Sequence, residues 1–549
     1  MKLEPCPMIP MRRTMGKPDP VKYRIGREHY EDSLYGCFLG KNIGGTAGAP
    51  MEWQRRTNEF SGYQQELHGE PYPNDDLDLQ LLSLIALEEK GLSLTSEALC
   101  EYWLNFLTPN WAEYGNAKAN MRRGMTPPYS GSWLNEHKNS NGAFVRSEIW
   151  ATICPGAPEI AVRYAYQDAI LDHGNGEGLY AMLFVAAMES AAFVEHDWEK
   201  LLEIGLSFIP EDCRVAQAVR FTWAAWKENA DWRGLREQIL KRFRGSANNA
   251  NPEMGDPQQR RDGWMDGEIG MDAPSAMAFL TAGLLYSGGD TDKLLKIVIY
   301  YGDDTDCTAA TGCAICGIIG GPSCFAEKWT EPIGEKIKTM CLNVGDLGEG
   351  GRDLPQTVPQ LVERLVRLGT QVGLAYQRAL DIAPQAMELL PPAELLHGQD
   401  STCYTRLADG PVYHGGAFDA QLLLENGPFI RSGESKRLTV NIENHSRAPQ
   451  IVELRVWCDA PLAVLSGAQG AVTLKTPYMH GATRRGVSQK VEIRLQCEQA
   501  CASPMRGVIL LSSSCGPMSL ALPFTLLNGD MENTNPDPYY VFSKESEEK

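Results

Sequence analysis

A chain of 549 residues exceeds the usual single-domain size and can bury a large core, so two domains are expected. Its 51 basic and 70 acidic residues leave a net charge of −19 with no basic block to offset it, which argues against duplex nucleic acid and anionic membrane as partners. Fifteen cysteines, an odd number without framework spacing, predict the reduced thiols of a cytosolic protein rather than a disulfide scaffold.

Residues 1–29 read as an N-terminal extension whose start lacks the apolar core of a signal peptide; a soluble, cytoplasmic protein is expected. From about Tyr30 to Leu390 apolar residues recur at spacings of three and four, predicting one large all-α domain over 30–390 with its chemistry on interhelical loops. Its first helix covers Leu34 to Ile43. Gly36 and Gly40 suit close helix packing, and Gly44, Gly45 and Gly48 read as a tight loop ending in Glu52.

Asn74-Asp75-Asp76 opens the helical pattern Leu77 to Leu87. Neighbouring carboxylates at a helix start are an ordinary cap when alone, and half of a metal site when a second cluster faces them. Trp111 to Tyr114 and Tyr129 to Trp133 are aromatic-rich and suited to shaping a pocket, although such residues more often serve a core. Asn141-Gly142, four residues before Arg146, joins a flexible polar turn to a cation and suits an anionic or ribose-like ligand; a plain loop with a surface Arg is the alternative. His173, flanked by Asp172 and Glu177 in a glycine-rich break between helices Ile160 to Leu171 and Leu179 to Phe193, is a further candidate.

Gly288-Gly289-Asp290-Thr291-Asp292 precedes an ordinary amphipathic helix, so Asp290 reads as a cap. Gly302-Asp303-Asp304-Thr305-Asp306-Cys307 is different. Three acids within four residues exceed the need of a cap, and the small-residue run Thr308 to Gly321 suits a closely packed helix. Such a cluster fits a hard, oxygen-preferring cation such as Mg²⁺, and two facing loops could hold one or two ions with open positions for water and substrate. Cys313 and Cys316 lie within the same helix and read as packing residues. A last clear helix covers Val358 to Leu368.

After Pro391-Pro392 the pattern changes to short strands at Leu438–Ile442, Ile451–Trp457, Val491–Leu495, Val508–Leu511 and Leu520–Leu522, predicting a β-sandwich domain over 400–529. The apolar stretch from Gly507 to Leu527 reads as a hairpin, not a membrane span. Residues 530–549 read as a polar tail.

In this order, the motifs ending in Glu52, Asp76, Arg146, His173 and Asp306 resemble the ADP-ribosylglycohydrolase family, the group of dinitrogenase reductase-activating glycohydrolase and the ADP-ribosylhydrolases, over roughly residues 30–370. The resemblance implies an all-α fold with a Mg²⁺ or Mn²⁺ centre of one or two ions, hydrolysing a glycosidic bond at a ribose anomeric carbon. It implies Asn74, Asp75, Asp76, Asp304, Asp306 and Cys307 around the metal, and Glu52 and Asp304 in catalysis. It also implies Asn141, Gly142, Arg146 and His173 on the substrate, a small glycoside or ADP-ribosylated molecule. The chain departs from the family pattern at Gly45, Asn74 and Cys307, where an Asp and two Thr are usual. Two other readings stand beside this one: a hydrolase of another sugar or nucleoside on the same fold, and a non-catalytic glycan- or ligand-binding protein. The sandwich is suited to capping the cleft, binding carbohydrate or forming a homo-oligomer.

Overall fold

The computed structural model describes residues 23–54, 56–243, 271–348, 351, 353–376, 380–384, 389–477, 486–516 and 518–529. The expected tail and residues 1–22 lie outside these.

A helical domain is followed by a β domain. The helical part begins earlier than expected, because β1 (Arg24–Gly26) pairs in parallel with β2 (Asp381–Ala383) and ties the two ends of the domain together. Between them, α1 (Arg27–Gly48), α2 (Asp75–Lys90), α3 (Ser96–Phe106) and α4 (Ala112–Arg122) lead into short helical turns. Next come α5 (Pro158–Ala169), α6 (Glu177–Ala192), α7 (Ala273–Ser287), α8 (Thr291–Tyr301), α9 (Thr305–Gly320) and α10 (Val358–Ala375). Helices α6 and α7 are buried on nearly every side and form the centre of the domain.

Helix α1 corrects one expectation. It runs through Gly44 and Gly45 to Gly48, and only a single 3₁₀ turn (Ala49–Met51) separates it from Glu52. The glycines form a stripe repeating every four residues, on which α9 packs with its backbone. A Cβ at Gly36, Gly40, Gly44 or Gly48 would lie 2.3, 2.5, 2.2 or 2.4 Å from the carbonyl oxygens of Gly317, Cys313, Ala309 and Thr305. Only small residues on both helices permit that approach. The contact brings the C-terminal end of α1 against the N-terminal end of α9, where the carboxylates stand.

The β domain has two five-stranded sheets, packed as a sandwich around Leu438, Val440, Ile493, Ile509, Leu522 and their neighbours. The order β3-β4-β6-β10-β8 runs through Val412–His414, Phe418–Leu424, Ser435–Asn444, Ser488–Cys497 and Leu462–Ser466. The order β5-β12-β11-β7-β9 runs through Phe429–Ile430, Ser519–Asn528, Met505–Ser513, Gln450–Cys458 and Gln469–Leu474. Strands β11 and β12 form the expected antiparallel hairpin. Cys403, Tyr404 and Leu407 pack into the helical core. Among the described residues Cys307, Cys313 and Cys316 carry free thiols. Among the described residues no helix is long and apolar enough to cross a membrane.

Candidate metal centre

Two backbone devices fix Glu52 beside the Asp304 loop. Trp53 and Asp303 both hold positive φ, 68° and 69°, which costs a non-glycine residue energy and persists only where neighbours enforce it. Here they enforce each other. Trp53 N donates to the Asp303 carbonyl at 2.9 Å, and Asp303 N donates to the Gln54 carbonyl at 3.0 Å. The Thr305 hydroxyl donates to the Gly48 carbonyl at 2.8 Å and closes the join.

Asp304 stands at the N-cap of α9, yet its side chain makes no capping hydrogen bond; Asp306 follows in the first turn. The cap explanation therefore fails for this loop. It holds for Asp290, whose carboxylate accepts from Lys293 N at 3.1 Å. Oxygens of Asp304 and Asp306 and the Cys307 sulfur lie within 4.8 Å of one another. Asp75 and Asp76, in the first turn of α2, face them: the Cys307 thiol donates to Asp76 Oδ1 at 3.4 Å, and the Asn74 amide nitrogen lies 3.4 Å from Asp306 Oδ2.

Asn74, expected around the metal, stands beside the cluster as the N-cap of α2. Its carbonyl oxygen accepts from Asp76 N at 2.7 Å and caps α2, so the amide turns its nitrogen toward the cluster. Gly45 makes this possible, since a Cβ there would stand 2.6 Å from that nitrogen.

Asp304 and Asp306 are each 6% exposed, and their Oδ1 atoms have no hydrogen-bond partner. Burial pushes the Asp304 carboxyl up to about 7, and burial with the charge of Asp304 drives Asp306 well above the carboxylate range. Glu52 is raised by its own burial and then by Asp306, Asp75 and Asp76, and Cys307 by burial and then by Asp304, Asp306 and Asp76. Buried oxygens without a hydrogen-bond partner on Asp76, Asp304 and Asp306, with Asp75 beside them, fit a hard divalent cation. A protonated thiol does not, so Cys307 is a poor member of the set.

The remaining predicted residues lie beside the cluster in a different role. The Asn141 amide donates to Asp304 Oδ2, and its backbone N donates to the Met271 carbonyl at 3.0 Å. Arg146 is fully buried rather than a surface cation. It binds Asp168 Oδ1 at 2.9 Å and Asp172 Oδ1 at 2.6 Å, donates to the Gly142 carbonyl, and lies over the Trp103 ring. His173, also buried, bridges Asp172 Oδ1 (2.8 Å) and the Ser140 hydroxyl (3.0 Å). Burial opposes it, but Arg146 and His173 hold Asp172 below the usual carboxylate range. These residues brace the Ser140–Gly142 turn from behind.

Sequence reasoning missed Lys41, Glu113 and Glu148. Glu113 is buried against Gly142, where a Cβ would meet its carboxylate. Lys41 is 2% exposed and lies 3.3 Å from Asp76 Oδ2 and 2.8 Å from Glu148 Oε1. One signal was available: a lysine stands inside the glycine stripe of an otherwise buried helix.

The model of one family, ADP-ribosylglycohydrolase, matches residues 26–375. No curated protein sequence matches the chain. Among solved structures, E. coli alpha-2-macroglobulin is 17% identical over 20% of this chain and 7% of its own, with a TM-score of 0.17. A FixG-related protein from Vibrio parahaemolyticus is 7% identical over 21% and 97%, with a TM-score of 0.17. The alkylpurine DNA glycosylase AlkC of Pseudomonas fluorescens is 11% identical over 82% and 98%, with a TM-score of 0.13. Likenesses at these scores bear on neither fold nor function.

Proposed function

The chain belongs to the ADP-ribosylglycohydrolase family, and from that premise we propose that it is a divalent-cation-dependent glycosidase cleaving a ribose-type N- or O-glycosidic bond. The observation that carries this reading is the convergence of Asp75 and Asp76 with Asp304 and Asp306, three of whose buried oxygens have no hydrogen-bond partner. Asp75, Asp76, Asp304 and Asp306 would hold Mg²⁺ or Mn²⁺. The cation would supply positive charge to sugar hydroxyls and to water at the reacting centre.

The protein's own residues do the rest. Glu52, set beside the acidic cluster at the end of α1, is suited to accept a proton from the attacking water and so to act as the base of the reaction. Asn141 fixes the orientation of Asp304. Arg146, Asp172 and His173 keep the Asn141–Gly142 turn rigid, so that its backbone can meet the substrate without reorganising. This differs from the usual pair of carboxylates, one of which protonates the leaving group.

Release of free sugar from ADP-ribosylated amino-acid conjugates and from simple N- and O-ribosides, with and without Mg²⁺ or Mn²⁺, tests the reading. Turnover of at least one substrate is expected, abolished by chelation and lowered on the order of 10³-fold in Asp304→Ala. No turnover of any of them with metal present would overturn it. One observation favours an uncharged glycoside over an ADP-ribosyl conjugate: the cation that a pyrophosphate would seek, Arg146, is fully buried and already paired with two aspartates. Faster turnover of the simple ribosides is the outcome that this second reading expects.

A further inference from the structure

The two faces of the β5-β12-β11-β7-β9 sheet differ. On β7, Val452, Leu454 and Val456 point into the sandwich, while Ile451, Glu453, Arg455 and Trp457 point to solvent. The register sets Trp457 beside Val508, with Pro523 next to it, and Arg455 beside Leu510, with Ala521 next to it. Trp457 is 57% exposed and Ile451 44%, and between them on this face of β7 stand one acid and one base. We propose that this face binds a second copy of the chain, related by a two-fold axis, with Glu453 set against Arg455 of the partner subunit.

Exposed apolar side chains grouped on one face mark a contact surface, and aromatic residues among few charges distinguish the centre of such a surface. The two charges identify the occupant. Glu453 and Arg455 project from one side of one strand, yet among the described residues neither has an ion-pair partner. At the same spacing on the other sheet, Lys490 and Glu492 do pair, at 3.8 Å. A strongly acidic or strongly basic partner would satisfy one of the two free charges and oppose the other. A second copy satisfies both. A two-fold axis lying between two such faces and crossing β7 at Leu454 reverses the strand. Glu453 then meets the partner's Arg455, Arg455 meets the partner's Glu453, and Trp457 meets the partner's Ile451. Sheets packed face to face stand about 10 Å apart, a gap that these side chains span. The net charge of −19 opposes self-association in general, but on this face the charges of Glu453 and Arg455 cancel.

Sedimentation velocity of the full-length protein tests this apart from activity, and a dimer is expected in the micromolar range. Arg455→Glu and Glu453→Arg each set two pairs of like charges across the axis and are expected to raise the dimer dissociation constant on the order of 100-fold. Both positions are exposed and outside the two cores, so the substitutions act on association rather than on folding. An equimolar mixture of the two variants is expected to recover the dimer, because each chain then supplies the charge that the other lacks. That recovery is specific to a two-fold pairing of these two residues. A wild-type chain that stays monomeric in this range would overturn the proposal. So would a dimer that neither substitution weakens, or a mixture of the two variants that stays monomeric.

Discussion

At the scale of single residues, the cluster makes the metal-free protein a strained arrangement of charge. Burial holds Asp304 at about 7, and Asp76 and Asp306 are also displaced upward, chiefly by burial. An unfolded chain returns aspartate to about 3.9. Between these values the native state binds protons that the unfolded state has released, so stability falls as pH rises from about 4 to about 7. Asp172 and Asp419, held below the usual range, act in the opposite sense in more acidic solution, and His137, lowered by burial to about 4, opposes the fall up to about pH 6.5. The melting temperature of chelated protein is therefore expected to fall between pH 5 and pH 8, and Mg²⁺ to raise it more at pH 8 than at pH 5. A melting temperature that rises over this range without metal would contradict the assignment. Asp304→Asn should flatten the slope.

At the scale of elements, the join between α1 and α9 sets the geometry of the site. A methyl group at Gly44 would fall 2.2 Å from the Ala309 carbonyl oxygen, a contact only backbone movement can relieve. Gly44→Ala is expected to cost about 1–3 kcal/mol, the usual range for overpacking, and to weaken cation binding because Asp304 and Asp306 ride on α9 and Glu52 follows the end of α1. Gly62→Ala, where nothing lies within 4 Å, is the neutral control. Urea midpoints of the two variants provide the comparison. Much of this element was legible. The small residues from Thr308 to Gly321 announced a closely packed helix, and the surplus of acids before it announced more than a cap. Gly44, Gly45 and Gly48 misled, because glycine in a sequence normally marks a loop and only the partner backbone reveals that these sit inside a helix. The role of Arg146 was illegible for a similar reason: Asp168 and Asp172 stand 22 and 26 residues away in sequence, with nothing local to link them to it. Strands β8 and β9, with few fully buried residues, lack the apolar alternation that revealed β6, β7, β10, β11 and β12.

At the scale of the molecule, residues 124–135 lie between the sandwich and the turn beside the acidic cluster. On one side of this segment, Met125 and Tyr129 belong to the sandwich core, and the Tyr129 hydroxyl accepts from Leu424 N at 2.9 Å. Trp133 meets Phe429 edge-on at 5.6 Å, and the Thr525 hydroxyl donates to the Gly124 carbonyl at 2.9 Å. On the other side, the Ser130 hydroxyl donates to the Leu171 carbonyl at 2.8 Å and the Asn135 amide to the Asp172 carbonyl. Asp172 holds Arg146 and His173, which hold the turn that positions Asn141 on Asp304. A domain merely tethered by a linker would melt on its own; one whose core contains residues of its neighbour should not. Calorimetry of the full chain is expected to show a single transition, shifted as a whole by Mg²⁺, and Tyr129→Phe to lower it by the equivalent of about 1–2 kcal/mol without splitting it. Two transitions, only one of them responsive to the cation, would mean that the sandwich is an independent passenger and that the brace from Leu424 to Asp304 carries no energy.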